Sequence, residues 1–233
     1  MNAVVIPMFN EEDNVVPLTE RIEGVFAKNN IRCDIVLLND GSRDKTLEKM
    51  REVSKRYDNV KIVSSDVNIG FGKIVKKGIR YCIDSGYDIL IFMDGDLTHD
   101  PAEIPQFLRA MDGVDMVIGS RYVNGGGMKN VPLKRVLVSH LGNLFLKIFF
   151  RLPVKDATGG YRAVRTGVFK KIKLKEEGFV LQLEEVAEAS KKGFVIREVP
   201  IVVSNRVYGT SKFNLSPRHI LTYLTFSIKN RFR

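Results

Sequence analysis

Short apolar runs alternate with amphipathic stretches along the first 120 residues of this chain. The runs have the length and composition of strands buried on both faces, and they occupy residues 3–7, 34–38, 60–64, 89–93 and 115–119. Between them apolar residues recur at helical spacing, as Val15, Leu18 and Ile22 do. Strands that alternate with helices predict an α/β fold with a doubly wound, mostly parallel central sheet and helices on both faces.

A long apolar segment at residues 132–153 dominates the pattern after residue 121. Read as a helix, the segment carries a polar stripe at i, i+4 spacing, formed by Arg135, Ser139, Asn143 and Lys147. Nearly every other position is large and apolar, so the apolar arc is wide for a helix that packs on one sheet. The pattern fits either a core helix or a helix in a membrane interface with its basic residues at the headgroups.

The remaining pattern predicts a helix at residues 181–192, an apolar strand at 194–203 and an amphipathic, basic segment at 217–233. Loops rich in glycine and charge occupy residues 154–162 and 205–212. The last segment suits a membrane surface or a partner protein. We therefore expect C-terminal amphipathic helices in addition to the α/β sheet.

Length and cysteine content narrow the class of protein. A chain of 233 residues fits one domain with a sizeable core. The two cysteines, Cys33 and Cys82, are too few for a disulfide scaffold and suit a reducing compartment. The histidines His99, His140 and His219 are scattered, so no zinc-ligand spacing occurs.

Charge is distributed unevenly along the chain. The net charge is +10, of which residues 1–120 contribute −5 and residues 121–233 contribute +15. A basic surface of this kind suits nucleic acid, an anionic membrane or a phosphorylated substrate. The sequence begins without a basic leader, and no apolar run approaches the ~18 residues of a transmembrane helix. We expect neither a signal peptide nor a transmembrane helix.

Two aspartates follow the apolar run at 89–93, in the sequence Asp94-Gly95-Asp96. Ligands of open α/β sheets bind at the carboxyl ends of strands, which is where these acids are expected. Neighbouring carboxylates repel each other unless a cation lies between them, and Mg²⁺ or Mn²⁺ takes oxygen ligands and is often shared with phosphates. The pair therefore predicts a metal and phosphate site, and the alternative is a solvated Asp-Gly turn.

Two familiar nucleotide motifs are missing from the chain. Residues 70–78 do not complete a GxGxxG pattern, because Val75 stands where the third glycine is needed, and Ile74 excludes a P-loop. A dinucleotide enzyme and a P-loop kinase are therefore disfavoured. Asp40 and Asp66, which end separate strands, can hold a base or ribose by hydrogen bonds or serve as turn and cap acids.

Taken together, these segments resemble the inverting GT-A-type glycosyltransferases of family 2, and within them the dolichyl-phosphate mannose synthase group of polyprenyl-phosphate glycosyltransferases. The resemblance covers essentially the whole chain. Motifs of the wider family are Val5-Ile6-Pro7-Met8-Phe9-Asn10-Glu11, Asn39-Asp40-Gly41-Ser42, Asn68-Ile69-Gly70 and Asp94-Gly95-Asp96. Motifs of the group are Gly119-Ser120-Arg121-Tyr122, Asp156-Ala157-Thr158-Gly159-Gly160-Tyr161-Arg162, and Arg206 with Tyr208-Gly209-Thr210-Ser211-Lys212.

The resemblance implies a role for residues of both halves. Residues 1–120 would bind the nucleotide sugar through Pro7, Phe9, Asn10, Glu11, Asp40, Ser42, Asp66, Asn68, Gly70, Lys73, Asp94 and Gly95. Residues 121–233 would face the membrane and bind the acceptor phosphate and the sugar through Arg121, Arg135, Ser139, Arg206 and Lys212. Asp96, Arg121 and Arg135 would be catalytic.

The metal would be Mg²⁺ or Mn²⁺, held by Asp94 and Asp96. Relatives in this group often have glutamine two residues after the second acid as a further ligand, whereas this chain has Thr98. A hydroxyl is a shorter and weaker ligand, so Thr98 or a water molecule would complete the coordination.

The activity that the resemblance implies is metal-dependent transfer of mannose from GDP-mannose to dolichyl or another polyprenyl phosphate. The protein would be peripheral, on the cytoplasmic face of a membrane, and a partner subunit could supply an anchor. The alternatives are a UDP-sugar donor such as UDP-glucose, or a protein or polysaccharide acceptor.

Two other classes of function compete with this one. A nucleotidyltransferase would use a similar metal site but release pyrophosphate. A nucleic-acid-binding module is disfavoured because the basic residues are interleaved with an apolar helix rather than with exposed aromatic side chains for base stacking. We therefore expect no nucleic-acid partner.

Overall fold

A seven-stranded sheet forms the centre of the molecule. The computed structural model describes residues 1–204, 222–223 and 225–227, apart from the side chain of Arg135. The strands of these ranges are β1 (Asn2–Met8), β2 (Cys33–Asp40), β3 (Val60–Ser65), β4 (Ile89–Phe92), β5 (Met116–Ser120), β6 (Gly127–Met128), β7 (Arg162–Arg165), β8 (Ile196–Pro200) and β9 (Val202–Val203).

The order of the central sheet is β3-β2-β1-β4-β7-β5-β8, and β6 pairs with β9 in a separate two-stranded sheet. All pairs of the central sheet are parallel except those of β7, which runs antiparallel to both β4 and β5. The predicted mostly parallel sheet is confirmed. The sequence analysis missed β7, which joins the strands of the first 120 residues from beyond residue 121.

Helices cover both faces of the sheet, as predicted. They are α1 (Glu12–Asn29), α2 (Thr46–Arg56), α3 (Phe71–Asp84), α4 (Ile104–Ala110), α5 (Leu133–Phe150), α6 (Thr166–Lys171) and α7 (Leu181–Lys191). Apolar residues of α1, α2 and α4 pack in a core on one face of the sheet, and those of α3, α6 and α7 pack in a core on the other. The two cores cover the faces of the sheet, and the carboxyl ends of the parallel strands lie together at one edge of it.

The helix α5 differs from the others because most of its apolar side chains face solvent. Its exposed large apolar residues are Leu133, Leu137, Val138, Leu141, Leu144, Phe145 and Ile148. The basic residue Lys147 lies in the last turn of α5, and Arg151 ends the helix in the left-handed conformation. No helix in the described part of the chain is long and apolar enough to cross a membrane.

The C-terminal part of the chain differs from its prediction at one strand. The apolar run at 194–203 was predicted as one strand, but it is divided into β8 and β9, and Ile201 between them leads the chain from the central sheet to the small one. The loop at 205–212 lies outside the described residues, as does most of the amphipathic segment at 217–233. Within that segment residues 222–223 and 225–227 are helical.

Candidate functional site

A cavity of about 1300 Å³ opens at the carboxyl ends of β1, β2 and β4, and helix α5 forms part of its wall. Twelve of the residues predicted for the site line it: Pro7, Phe9, Glu11, Asp40, Asn68, Gly70, Asp94, Gly95, Asp96, Thr98, Arg121 and Ser139. Residues that the resemblance assigned to donor and acceptor therefore share one cavity. This is the arrangement expected for an open α/β sheet, in which ligands collect beyond the strand ends.

Four residues predicted for nucleotide binding do not line the cavity. Asn10 and Ser42 bond to neighbouring loops, since the Asn10 N–H donates to Ser42 Oγ at 3.1 Å. Lys73 forms an ion pair of 2.9 Å with Glu177. Asp66 is exposed at the end of β3.

The predicted acceptor residues are only partly described. Arg135 lies in α5 near its N-terminal end, and its side chain is outside the described part of the structure. Arg206 and Lys212 lie outside the described residues. Arg121 and Ser139 remain as the described members of this set.

The acidic pair is held by its own neighbours. The N–H and the hydroxyl of Thr98 both donate to Asp96 Oδ1, at 3.1 Å and 2.6 Å. The Asp94 N–H donates to His99 Nδ1 at 3.0 Å, which places the proton of the neutral imidazole on Nε2, 3.9 Å from Asp94 Oδ2. The Asp94 carboxylate is half-exposed, whereas the Asp96 carboxylate is buried and is oriented by Thr98 before any ligand arrives.

The donor atoms of this pair fit a hard divalent cation. Two carboxylates at a strand end, one fixed by a hydroxyl, supply the oxygen ligands that Mg²⁺ and Mn²⁺ prefer, and a diphosphate supplies more. Among the described residues, no group of three or more histidine, cysteine, aspartate or glutamate side chains could hold a metal ion. Thr98 was considered above as a third metal ligand. Its hydroxyl instead donates a hydrogen bond to Asp96 and so orients that carboxylate.

Gly160 allows three polar side chains to converge on the cavity. A methyl group at this position would lie 3.0 Å from Gln182 Nε2, 3.2 Å from Asp94 Oδ1 and 3.4 Å from His99 Cε1. Any larger side chain would enter the space between the amide and the carboxylate. Gln182, in the first turn of α7, and His99 both line the cavity, and the sequence analysis predicted neither of them as a site residue.

A second corner of the cavity is built on Asp40. Its Oδ1 accepts the Ile69 N–H at 2.8 Å and its Oδ2 accepts the Gly70 N–H at 3.1 Å. The side chain of Asn68 also donates to Oδ2, at 3.1 Å. Burial raises the pKa of Asp40, and the two backbone N–H groups act in the opposite direction. Asp40 thus lines the cavity and also fixes the loop at 68–70.

Arg121 forms the basic end of the cavity, and a buried carboxylate orients it. Its Nε and Nη2 each donate to Asp156 at 2.7 Å, and its own N–H donates to the same carboxylate at 3.0 Å. Burial alone would lower the pKa of this guanidinium, but the hydrogen bonds and the charge of Asp156 outweigh that effect and raise it. The guanidinium therefore stays charged and its direction is fixed, as anion binding requires.

Aromatic side chains also line the cavity. Phe71, at the start of α3, stacks on Phe179 with ring centroids 4.7 Å apart. Tyr223 also lines the cavity, and its hydroxyl donates to the Phe179 carbonyl at 3.4 Å. Burial raises the pKa of Tyr223 to about 12 and the nearby Arg121 acts against that shift. These rings give the basic end an apolar border.

The residues that the sequence analysis missed fall into two groups. Asp156 and Thr158 were quoted in the glycine-rich motif, but nothing in the sequence alone distinguished a buried arginine partner from a solvated loop. Asn143 belonged to the polar stripe of α5 and was not selected. His99 and Gln182 gave no sequence signal of their own, because the loop after β4 and the start of α7 meet only in the folded chain.

Comparison with known proteins gives one family match and several curated relatives. Residues 3–173 match the family described as Glycosyl transferase family 2. The polyprenol monophosphomannose synthase of Mycolicibacterium smegmatis is 32% identical over 216 residues, which cover 91% of this chain and 80% of the relative. The undecaprenyl-phosphate mannosyltransferase of Micrococcus luteus is 31% identical over 213 residues, with 90% and 86% covered.

A third relative is longer than this chain. The dolichol-phosphate mannosyltransferase of Pyrococcus furiosus is 34% identical over 227 residues, which cover 95% of this chain and 61% of the relative. The aligned part thus includes nearly all of this chain and about three fifths of that protein.

Solved structures establish the fold. The glucosyl-3-phosphoglycerate synthase from Mycobacterium tuberculosis, in complex with Mn²⁺, uridine diphosphate and phosphoglyceric acid, superimposes with a TM-score of 0.70 at 16% identity, covering 99% of this chain and 78% of that one. The same enzyme with Mg²⁺ and uridine diphosphate gives a TM-score of 0.69 at 16% identity, with 99% and 79% covered. The predicted GT-A-type fold is therefore confirmed, and these neighbours were crystallised with a divalent cation.

Proposed function

This chain belongs to glycosyl transferase family 2 and is a glycosyltransferase, and we propose that it transfers mannose from GDP-mannose to a polyprenyl phosphate with inversion at the sugar. The observation that carries the proposal is the shared cavity, in which the acidic pair at the end of β4 and the oriented Arg121 face one space. The names of the three curated relatives support the same class of donor sugar and acceptor lipid.

The acidic end suits the diphosphate of the donor. Asp94 and Asp96 would hold Mg²⁺ or Mn²⁺, which when bound neutralises the charge that develops on the leaving nucleoside diphosphate. His99 accepts the backbone N–H of Asp94, Thr98 orients the Asp96 carboxylate, and Gly160 leaves room beside Asp94 for the sugar-diphosphate. Asp40 holds the loop at 68–70 against the cavity, which suits recognition of the nucleoside.

The basic end suits the acceptor phosphate. Arg121 presents a guanidinium whose orientation Asp156 fixes, and Ser139 lines the same part of the cavity. A phosphate monoester is already an anion near neutral pH, so its oxygen can attack the anomeric carbon without a strong general base. Catalysis would then consist of positioning and charge neutralisation, which does not require a catalytic acid–base carboxylate pair.

The exposed apolar face of α5 suits contact with lipid. Seven large apolar side chains of one helix face solvent beside a cavity to which the same helix contributes Ser139. Burial of such a face in the interfacial region of a membrane, on its cytoplasmic side, would bring the phosphate of a polyprenol to the level of the cavity. A partner subunit could add a further attachment.

The proposal is tested by transfer of radiolabelled mannose from GDP-mannose to short-chain dolichyl phosphate, with and without Mn²⁺ or Mg²⁺. Metal-dependent label in the lipid extract is the expected result. Label from UDP-glucose and none from GDP-mannose would keep the acceptor and change the donor. Transfer from neither donor would overturn the lipid acceptor and turn attention to protein or polysaccharide acceptors.

A further inference from the structure

Helix α5 contacts the rest of the protein through a buried amide in addition to the apolar packing of Leu146 and Phe150. Among its described side chains only Asn143, which is 3% exposed, and Leu146, which is 5% exposed, are buried. A buried amide is costly unless its hydrogen-bonding capacity is satisfied, and an apolar residue would be the ordinary choice for a helix that packs on a core. The contacts of Asn143 therefore need a reason other than burial of apolar surface.

Every polar atom of the Asn143 side chain has a partner. Its Nδ2 donates to Thr158 Oγ1 at 3.0 Å and to the Ser139 carbonyl at 3.1 Å. Its Oδ1 accepts the Ala157 N–H at 2.9 Å. Two of these three bonds leave the helix and reach the loop that also contains Asp156.

That loop is held at three consecutive backbone N–H groups. Glu198, on β8, accepts the N–H groups of Lys155 and Asp156 at 2.9 Å and 3.0 Å. Asn143 accepts the next one, that of Ala157. The backbone that carries the Asp156 side chain is therefore held by Glu198 of the sheet and by Asn143 of α5.

Thr158 connects Asn143 directly to the arginine of the cavity. Its hydroxyl oxygen accepts a hydrogen bond from Arg121 Nη2 at 3.1 Å and another from Asn143 Nδ2 at 3.0 Å. Asn143 thus reaches Arg121 by two routes, through Thr158 and through the backbone of Asp156. A displacement of α5 that broke its contacts would release both.

We propose that Asn143 is a positioning residue that locks helix α5 to Arg121, so that the guanidinium and the lipid-facing helix keep one spacing for the acceptor phosphate. The inference rests on the proposed function, because it assigns the arginine to the acceptor. It adds that the acceptor site is formed by two elements, helix α5 and the segment after β5 that carries Arg121. The Asn143 amide sets the distance between them.

The test compares Asn143→Leu, Asn143→Asp and Thr158→Val with Leu152→Ala. Leucine keeps the size of the side chain and removes all its hydrogen bonds. Aspartate keeps an acceptor for the Ala157 N–H and the Thr158 hydroxyl, and it loses the two N–H bonds that the amide donates to Thr158 and to the Ser139 carbonyl. It remains informative if the leucine variant does not fold. Leu152 is a buried apolar residue just after α5 whose side chain does not line the cavity, and its truncation controls for weakened packing.

We expect Asn143→Leu and Asn143→Asp each to raise the acceptor KM by about tenfold, with the donor KM unchanged, because both variants lose the hydrogen bond that Asn143 donates to Thr158 beside Arg121. The double variant of Asn143→Leu and Thr158→Val should be no worse than the poorer single variant, because both act on the same arginine. Hydrogen exchange at the Ala157 amide should accelerate in Asn143→Leu and stay slow in Asn143→Asp. Leu152→Ala should lower the melting temperature without changing either KM.

Additive effects in the double variant, equal changes in donor and acceptor KM, or an acceptor KM within about twofold of the wild type would overturn the proposal. The exchange measurement needs no substrate, so it is independent of the proposed function. If the wild-type protein transfers no sugar to polyprenyl phosphate, the proposed function fails even where the exchange result holds. If the wild-type protein is active and the variants behave like Leu152→Ala, only the role of Asn143 fails.

Discussion

Arg121 and Asp156 meet through two hydrogen bonds of 2.7 Å each, and the carboxylate has no exposed surface. An arginine paired in this way is desolvated and directed, and the remaining N–H groups of its guanidinium are available to a ligand. The pair lies at the boundary between the sheet and α5, so the position of the cation depends on both.

Replacement of Asp156 by asparagine should reduce sugar transfer by about 100-fold, because breaking a buried ion pair leaves an uncompensated charge worth ~3 kcal/mol or more. Donor binding, measured by calorimetry with GDP and Mn²⁺, should change little. Asp84→Asn is the matched control, since Asp84 forms an exposed ion pair with Arg80 on α3. Equal activity in the two variants would contradict the role given to Asp156.

Gly160→Ala should weaken donor binding while the fold is retained. The added methyl would contact the ends of the Gln182 and Asp94 side chains at 3.0 Å and 3.2 Å, and these would have to shift. We expect the dissociation constant of GDP with Mn²⁺ to rise by about tenfold, a cost of ~1.4 kcal/mol typical of mild overpacking. Gly167→Ala, at a helical position with open space around it, should leave the constant unchanged and raise stability by up to ~1 kcal/mol.

Removal of the hydroxyl from Thr98 should weaken the metal site without abolishing it. Thr98→Val keeps the backbone N–H bond to Asp96 and loses the bond of 2.6 Å from the hydroxyl. Loss of a partner that orients a ligand reduces metal affinity by about tenfold. Titration of Mn²⁺ followed by electron paramagnetic resonance, in the presence of GDP, measures the effect. Asp96→Ala should remove Mn²⁺ binding and transfer together, and an active Asp96→Ala variant would exclude the assignment.

Charges on the outer face of α5 should reduce membrane binding. Leu137→Glu and Ile148→Glu place a carboxylate at side chains that are 56% and 69% exposed and do not line the cavity. Sedimentation with vesicles containing anionic lipid should show most of the bound fraction lost, because an ionised glutamate resists burial at the interface. Val195→Glu, at an equally exposed residue near β8, is the control and should bind as the wild type does. Parallel loss in all three variants would point to charge alone.

Stability should fall in alkaline solution as unfolding exposes the two thiols. Burial raises the pKa of Cys82 to about 12, whereas an exposed thiol ionises near its ordinary value of about 8.5. The thiol therefore contributes stability that is complete below the unfolded pKa and is lost as pH rises toward the folded pKa, by up to ~1.4 kcal/mol per pH unit. Cys82→Ala should reduce this slope between about pH 9 and 11 in urea unfolding, whatever its effect at neutral pH. Identical slopes in the two proteins would refute the assignment.

The sequence predicted those parts of the fold in which local pattern and burial agree. The apolar run before Asp94 became β4, and the acids after it line the cavity, because a buried parallel strand has an unmistakable pattern and its carboxyl end is where ligands bind. The strand β7 was missed because arginines flank its two apolar residues. One of them, Arg162, is nevertheless buried against Glu185 at 2.7 Å.

Partners that lie far apart in the chain could not be predicted. The resemblance implied that Lys73 binds the nucleotide, and in the folded chain Glu177 on a distant loop pairs with it. The strand predicted at 194–203 contains Pro200, and β8 ends at that residue. Proline is tolerated there because β8 is an edge strand, in which a missing N–H costs no hydrogen bond. The partner of Lys73 and the edge position of β8 depend on which elements become neighbours in the fold. The local sequence pattern does not contain that information.

The antiparallel strand in the middle of the sheet also constrains how the protein can be made. Because β7 lies between β4 and β5, a nascent chain must extend to Arg165 before these two strands gain their shared neighbour. Until then their inner edges are unpaired, which favours association with chaperones and slows folding that relies on distant pairings. We expect a fragment that ends before β7 to aggregate rather than to persist as a nucleotide-binding module. Donor and acceptor regions would thus mature in a single late event during synthesis.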